Sequence, residues 1–470
     1  MGKPTVVNRV HFHLLLATVV IGLSACGSKP TLRSSDIRPL HYSTGKSGLA
    51  RVEGLRQALD ASPNEAVRVL AIHGMITREA RYSAELQGKL AERLGLDEGT
   101  DSGQVELARD YEFVPTYGQQ PFDGVSKLPT SQLRRTTWTT RAADGRRVDR
   151  LVVYEMLWSP LRDQVKETFV GCFERGEIGK KDACRAFSKS EPNADRRLPV
   201  NRALKEAVTL GGFADATLVL GPIGDVIRDD LTLALCVIGS DFLAPEVDAL
   251  TKSARVRCNL AQAARAYPTP GAAGSKLEQA KFLALTHSLG SFLFMDSQDA
   301  FVAAQGDANK TAQKQDAVTC NKDPQWCDET RQAELLFAMT DRATVFMSAN
   351  QVALLSLARL SPAACRTPSG GRCPNPYLRA RGGGLEPWSE PWGMSRMTVF
   401  VALNDSNDLL GFELPPFLAD VGGNRFVNVS VRNPAFTVPG VFKDPSGAHT
   451  HQAQNPAVLQ AIVEGFEIPK

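Results

Sequence analysis

Short apolar runs alternate with stretches of helical periodicity along most of this chain. The runs that we predict as buried strands are rich in Val, Ile, Leu, Phe and Met, and they cover residues 67–72, 151–157, 281–285, 343–347 and 397–403. Apolar positions at helical spacing occur at residues 78–95, 223–238 and 457–464. Strands and helices that alternate in this way form mostly parallel sheets covered on both faces. The pattern therefore predicts an α/β fold.

The same patterns divide the chain into parts. Residues 26–65 are rich in Ser, Arg, Gly and Pro, and we predict them to be mainly a tether with a short helix near 52–59. Residues 66–470 are predicted to form one domain. The segment between the second and third predicted strands is too long for a simple crossover, so we expect crossover helices and a cap-like insertion at about 160–275. Residues 360–391 are rich in Pro, Gly and Arg and are predicted to be a loop.

The N-terminus has the pattern of an export signal. Lys3 and Arg9 precede an apolar core at 14–23, and residues 23–26 read LSAC. This arrangement resembles the lipobox of bacterial lipoproteins, which implies that residues 1–25 are removed and that Cys26 becomes the lipid-modified first residue. The apolar core is shorter than the roughly 20 residues of a membrane span. We therefore expect acyl chains on Cys26 to hold the mature protein to a membrane.

Charge and the residue after Cys26 refine this expectation. The formal net charge of the chain is +3, and loss of Lys3 and Arg9 with the signal lowers it to +1. A nearly neutral balance argues against nucleic acid as a partner. Gly27 is not the Asp that often retains lipoproteins at the inner membrane of enteric bacteria. The resemblance therefore implies an outer-membrane location facing the periplasm.

Eight cysteines remain in the chain after Cys26. An even number in an exported protein favours disulfide bonds, although the pairing does not follow from sequence alone. No C-x-x-C pair is present, so a zinc site is disfavoured. Close spacing along the chain suggests the pairs Cys172–Cys184, Cys320–Cys327 and Cys365–Cys373, which leaves Cys236–Cys258 as the fourth pair.

Residues 286–290 read THSLG between an apolar run and a helix-like one. A strand, a sharp turn with a central serine and a following helix resemble the nucleophile elbow of the α/β-hydrolases. The resemblance implies that Ser288 is a nucleophile exposed above the sheet on a strained turn. Gly290 supplies one of the two small residues that the turn needs. Thr286 stands where the family usually has the other glycine, so it either fits by local adjustment or marks a chain that has left catalysis.

The family order of Ser, then an acid, then His selects the base. Among the seven histidines of the chain, only His449 and His451 follow Ser288, and both lie in a loop just before the last predicted helix. We favour His449, because Ala-His-Thr resembles the small-His-small pattern of relatives, and His451 is the alternative. The pair could also form an H-x-H metal site, but no suitable third ligand lies nearby in the sequence.

Two aspartates compete for the role of the acid. Residues 403–410 read LNDSNDLL directly after a predicted strand. In α/β-hydrolases the acid follows the penultimate strand and is commonly followed by an apolar pair, which favours Asp408 over Asp405. The other aspartate is expected to bind the backbone of its turn.

The resemblance also implies two backbone N–H donors for an oxyanion. The first is the amide of Leu289, directly after Ser288. The second is assigned to Met75, because residues 73–75 read HGM at a strand end and resemble the HG-x turn of the family. Each such donor contributes about 3 kcal/mol to transition-state stabilisation.

Together these resemblances imply a lipid-anchored serine hydrolase of the cell envelope that cleaves carboxylic esters of lipid-like or other acyl substrates. Ser288, His449 and Asp408 would form its triad, and no metal or organic cofactor is implied. Two alternatives stay open. One is a non-catalytic lipoprotein that uses the fold as a binding module. The other is an acyltransferase, in which a hydroxyl other than water resolves the acyl-enzyme.

Overall fold

One sheet of ten strands organises the part of the chain that the structure describes. The computed structural model describes residues 38–42, 49–75, 80–97, 99–109, 112–113, 116–117, 120–121, 127–169, 212–245, 255–268, 270–298, 324–356, 398–414, 425–435, 437–438 and 442–468. The strands are β1 (Arg38–Tyr42), β2 (Val67–Ile72), β3 (Thr100–Leu107), β4 (Gln132–Arg141), β5 (Arg147–Leu157), β6 (Arg255–Val256), β7 (Phe282–His287), β8 (Thr344–Ser348), β9 (Val399–Asp405) and β10 (Arg425–Val431). Their order across the sheet is β1-β10-β9-β8-β7-β2-β5-β4-β3-β6.

The middle of the sheet is parallel. The six neighbouring strands β10, β9, β8, β7, β2 and β5 all run in one direction. Strand β4 pairs antiparallel with both β5 and β3, and β1 pairs antiparallel with β10 at the other side. Because parallel neighbours end at the same edge, the loops after β2, β7, β8 and β9 meet there. The predicted α/β class with a mostly parallel sheet is confirmed.

Helices cover both faces of the sheet. They are α1 (Leu55–Ala61), α2 (Ala84–Leu94), α3 (Ser159–Phe169), α4 (Ala214–Leu220), α5 (Pro222–Leu243), α6 (Leu260–Ala264), α7 (Pro270–Gln279), α8 (289–298), α9 (Pro324–Thr340), α10 (Val352–Ser356), α11 (Pro445–Thr450) and α12 (Pro456–Glu464). A short 3₁₀ turn, His451–Gln454, joins α11 to α12.

Two hydrophobic cores lie on the two faces, and β2 contributes to both. Val67 and Val69 pack in the core that contains buried residues of α1, α2 and α12. Leu70 and Ile72 point to the opposite core, which contains buried residues of α5, α7, α8 and α9. A strand buried on both faces needs a nearly continuous apolar sequence. The run at 67–72 was therefore recognisable as a central strand.

The packed body extends into the predicted tether. Strand β1 joins the main sheet, and Arg51–Val52 pairs antiparallel with Phe466–Glu467 near the C-terminus. Val52 and Leu55 are fully buried in the core beside α12. These parts of residues 26–65 are thus held on the domain by strand pairing and apolar burial.

The predicted insertion is partly core. Helix α5 lies within the range 160–275, and its residues Ile227, Leu231 and Leu235 are fully buried with residues of the sheet. A disulfide joins Cys236 of this helix to Cys258, with 5.4 Å between the Cα atoms, which confirms the pair that the three closer pairs left over. The other three predicted disulfides each involve residues outside the described part of the chain. The predicted loop at 360–391 also lies outside it.

Among the residues that the structure describes, no helix has both the length and the apolarity needed to cross a bilayer.

Candidate active site

Ser288 lies on a strained turn at the carboxyl end of β7. Its φ angle is 55°, in the left-handed region that few residues other than glycine adopt. The amide of Ser288 donates a hydrogen bond of 2.9 Å to the carbonyl of Ser348, the last residue of β8, and helix α8 begins at the next residue. Such a conformation costs about 1–3 kcal/mol and persists only where the surroundings impose it. The strand, turn and helix are present as the pattern predicted.

Gly290 is required by the close approach of α8 to β2. A Cβ atom at this position would lie 2.6 Å from the carbonyl oxygen of His73 and 2.7 Å from that of Ile72. Real Cβ atoms do not approach backbone oxygens so closely. Any other residue at 290 would therefore push the helix away from the strand that precedes the His73 turn.

Thr286 fits the turn although it replaces a small residue. Its side chain is buried, and its hydroxyl forms a 2.9 Å hydrogen bond with the Ser291 hydroxyl across the turn. The extra methyl and hydroxyl groups are therefore accommodated with a polar partner. Of the two interpretations of Thr286, local adjustment is the one that the geometry supports.

The three residues predicted as a triad are joined one to the next by hydrogen bonds. The Ser288 hydroxyl lies 3.0 Å from His449 Nε2. His449 Nδ1 lies 2.9 and 2.8 Å from the two carboxylate oxygens of Asp408. Because the carboxylate accepts, Nδ1 carries the proton and Nε2 is free to accept the proton of Ser288. This arrangement can activate a hydroxyl as a nucleophile.

The competing histidine and aspartate have other partners. The His451 ring is exposed, and its Nδ1 donates to the carbonyl of Pro434 at 2.6 Å. Asp405 accepts hydrogen bonds from the Asn407 amide and side chain at 2.9 and 3.0 Å, as expected for an aspartate that binds its own turn. Lys443 also pairs with Asp405. Burial raises the pKa of Asp405, but these bonds together outweigh it and hold the pKa below its usual value.

Asp405 also supports the position of His449 through Asn433, a residue that the sequence did not single out. The amide of Asn433 donates to Asp405 at 2.7 Å, and the Asn433 side chain donates to the carbonyl of Ala448 at 2.5 Å. Asn455 caps α12 and donates to the Asn433 side chain at 2.9 Å. All three polar residues are buried. An asparagine carries no distinctive sequence signal, so only the structure reveals this network.

Ser288 itself is covered. The resemblance implied an exposed hydroxyl, whereas the residue is 0% exposed. A Cβ atom on Gly74 would lie 2.5 Å from the Cβ of Ser288, so the turn after β2 rests directly on the serine. The His449 ring covers the hydroxyl from another side. The close packing of these two groups explains the difference from the expectation.

The turn that carries Met75 is held by His73 and Trp158. His73 Nδ1 donates to the Gly74 carbonyl at 2.7 Å, and its Nε2 accepts from the Trp158 amide at 3.2 Å. The two rings stack with 5.0 Å between centroids. Burial is the main cause that lowers the pKa of His73 to about 3, so the ring is neutral. The predicted donors, the amides of Met75 and Leu289, thus belong to the two segments that flank Ser288.

His287 contacts the base, although the sequence predicted that it would point elsewhere. Its Nε2 lies 2.9 Å from the carbonyl oxygen of His449, and the two rings meet edge to face at 5.0 Å. Because a carbonyl only accepts, Nε2 of His287 carries the proton. Burial first, and then the nearby His449, lower the pKa of His287 to about 4. A neutral His287 therefore holds the backbone of His449 in place.

A buried ion cluster lies behind Trp158. Asp215 on α4 pairs with Lys166 Nζ at 2.6 Å and with Arg162 Nη1 at 3.1 Å, both on α3. Arg162 and Asp215 are fully buried, and the guanidinium lies 5.5 Å from the centre of the Trp158 ring. Burial is the main cause that lowers the pKa of Lys166. These ion pairs join α4 to α3, the helix that follows Trp158.

In the described part of the chain, no group of three or more His, Cys, Asp or Glu side chains is arranged to hold a metal ion. Family models, curated protein sequences and solved structures give no match to this chain. The chemistry must therefore be inferred from the site itself.

Proposed function

We propose that this protein is a serine hydrolase of the α/β-hydrolase superfamily that cleaves carboxylic esters. The observation that carries the proposal is the continuous hydrogen-bonded path from Ser288 through His449 to Asp408. The positive φ of Ser288 and the parallel strands that end around it are also typical of a nucleophile elbow. Each residue of the path lies after a different strand, so chance neighbours in the sequence do not account for it.

In the proposed reaction, Ser288 Oγ attacks the carbonyl carbon of the ester while its proton passes to His449 Nε2. The bond from the carbonyl carbon to the alcohol oxygen then breaks, and His449 returns the proton to the departing alcohol. Water next attacks the acyl-serine with His449 as the base, which releases the carboxylic acid and restores the Ser288 hydroxyl. Asp408 stabilises the charged imidazole in both steps, and the amides of Met75 and Leu289 are the proposed oxyanion donors.

One sequence feature favours ester substrates of the cell envelope. The lipobox-like residues 23–26 support a lipid anchor on Cys26, which would hold the mature chain to a membrane, where acyl esters are abundant. The proposed location is the outer membrane, facing the periplasm. The burial of Ser288 requires that the cover formed by the Gly74 turn and the His449 ring shift when an ester binds.

The burial of Ser288 also favours a second candidate function. A non-catalytic lipoprotein that uses this fold as a binding module needs no access to the hydroxyl. Such a module would, however, have no physical need for the aligned Ser288, His449 and Asp408.

Hydrolysis of soluble nitrophenyl esters by the mature chain tests the proposal. Ser288→Ala and His449→Ala should each lower kcat by roughly 10⁴-fold or more, because either change breaks the path that activates the hydroxyl. His451→Ala is the matched control, and we expect it to retain activity. No hydrolysis by the wild type would contradict the proposal and favour the binding module. Undiminished hydrolysis by Ser288→Ala would contradict the assignment of Ser288 as the nucleophile.

A further inference from the structure

Exposed large apolar side chains are concentrated around the candidate active site. Among the described residues, the large apolar side chains that are exposed belong to Phe213, Leu220, Leu354, Leu409, Leu410 and Phe412. Leu354 follows β8, and the last three follow β9, directly after Asp408. Phe213 stands beside the Met75 turn, because a Cβ on its neighbour Gly212 would lie 4.0 Å from Met75 Sδ. We call Phe213, Leu354, Leu409, Leu410 and Phe412 the apolar rim.

The rim is held in place by polar groups beneath it. The side-chain amides of Asn350 and Asn404 donate to the carbonyl of Phe412 at 2.6 and 2.7 Å. The amide of Leu410 donates to Asp408 at 2.9 Å. Leu409 nevertheless remains 73% exposed and Phe213 65% exposed. The rim residues thus belong to segments at the carboxyl edge of the parallel strands β2, β8 and β9, where apolar side chains held toward solvent are typical of a site of interaction with a protein or a membrane.

The N-terminal strand enters the sheet at the same edge. Arg38, the first residue of β1, pairs with Ser430 of β10, which in turn pairs with Asn404 of β9. Two strand spacings separate Arg38 from Asn404, about 10 Å. Residues 27–37 link Cys26 to this point and span at most about 40 Å. A lipid on Cys26 would therefore hold the edge that carries Asp408 and the rim near the membrane.

From these observations we infer that the apolar rim docks onto a phospholipid bilayer and turns the Ser288 site toward it. The inference rests on the proposed function for the lipid on Cys26 and for the triad. Glu413, next to the rim, is exposed, so apolar burial in the bilayer rather than attraction to anionic headgroups would provide the binding energy. The proposed esterase would then take its substrates from the membrane that carries it.

Vesicle flotation with the mature chain carrying Cys26→Ser tests the rim without the anchor. Vesicles of phosphatidylcholine are the probe, and no substrate is present, so the result is independent of whether Ser288 is catalytic. The wild-type rim should bind, and the double variant Leu409→Ser/Phe213→Ser should bind roughly 100-fold more weakly, about tenfold for each lost apolar side chain. Glu413→Ser is the matched control in the same loop and should bind like the wild-type rim.

Thermal unfolding midpoints of all variants verify that they are folded. Absence of vesicle binding by the wild-type rim, or equal binding by the double variant, would overturn the inference. A dimer in sedimentation that the double variant loses, without any vesicle binding, would also overturn it and assign the rim to a second copy of the chain. Loss of ester hydrolysis in Ser288→Ala with unchanged vesicle binding would support both proposals separately.

Discussion

The triad of Ser288, His449 and Asp408 and the ion cluster of Arg162, Lys166 and Asp215 are both buried polar networks of three side chains. In the ion cluster, the two oxygens of Asp215 each face a cation, and these contacts join α3 to α4. In the triad, a single carboxylate orients a ring whose other nitrogen meets a hydroxyl. The ion cluster consists of opposite charges that pair with one another, whereas the triad ends in the hydroxyl of Ser288, a group that can react.

The backbone marks the same difference. Asp215, Arg162 and Lys166 all lie on helices, while Ser288 has a φ of 55° at a strand end. Strain of this kind collects at functional sites. Burial and charge are therefore common to the two networks, whereas a residue with a strained backbone ends the triad and not the ion cluster. Exchanging one member of each network should separate the two roles.

Asp408→Asn should have the largest effect. The amide cannot hold His449 Nδ1–H in the same way, so we expect kcat on a soluble ester to fall by about 10³–10⁴-fold with little change in the free energy of unfolding. Steady-state kinetics and urea unfolding measure the two quantities. Asp405→Asn, three residues away, is the matched comparison. It should mainly lower stability, because it weakens the Lys443 and Asn433 contacts, and it should lower kcat far less than Asp408→Asn, because Asp405 supports His449 through Asn433. A reversed outcome would exchange the roles of the two aspartates.

Asp215→Ala should affect stability instead. It removes the buried anion that Lys166 and Arg162 share, while Arg162 keeps its contact with Asp163, so we expect the free energy of unfolding to fall by about 3 kcal/mol. The kcat of the folded fraction should stay near that of the wild type. Asp163→Asn is the control, because Asp163 also contacts Arg162 but is partly exposed, and it should cost about 1 kcal/mol. Loss of kcat without loss of stability in Asp215→Ala would show that the cluster is part of the active site.

Acid should weaken the turn at His73. Burial lowers the pKa of His73 to about 3. Below pH 6.5 the His73 ring therefore binds a proton in the unfolded chain but stays neutral in the folded chain until the pH approaches 3. Stability is thus complete above pH 6.5 and falls as the pH drops from there toward 3. Between pH 6.5 and 5 the loss from this residue is about 2 kcal/mol.

Urea unfolding of His73→Gln at both pH values should show a smaller fall than the wild type. The exposed His451, changed to Gln, is the control and should keep the full fall. An unchanged pH dependence in His73→Gln would contradict the assignment of a neutral, buried ring.

His287 should have the smallest effect, because it acts through the backbone of His449. His287→Leu removes the hydrogen bond to the His449 carbonyl, and we expect kcat to fall about five- to tenfold with KM nearly unchanged, the equivalent of about 1 kcal/mol. His287→Gln can donate from a similar position and should recover most of kcat. If Leu and Gln lower kcat equally, the donor is not what positions His449.

Much of the sheet could be predicted because its central strands are buried on both faces. The runs at 67–72, 281–285, 343–347 and 397–403 have few polar residues, and each lies within one or two residues of an observed strand. Strand β4 reads QLRRTTWTTR and contains no apolar run, so the pattern of apolar residues does not predict it. Strand β10 alternates more weakly and was missed too. Edge and near-edge strands depend on their neighbours more than on their own composition.

The candidate site was predictable in its members but not in its supports. Chain order left His449 with His451 and Asp408 with Asp405, and the local resemblance to the family's patterns favoured His449 and Asp408 beside Ser288. The roles of Asn433, His287 and Trp158 depend on contacts between residues far apart in the chain, such as the one from His287 to His449. The covered state of Ser288 depends on how closely the Gly74 turn packs, which residue types do not reveal.

The most direct test of the proposed role of Ser288 is the location of a covalent adduct. The mature protein is treated with a fluorophosphonate probe, digested and sequenced by mass spectrometry. We expect a single adduct on Ser288 Oγ, and none in His449→Ala under the same conditions. An absent adduct, or one on Ser291 or any other serine, would contradict the assignment of Ser288 as the nucleophile.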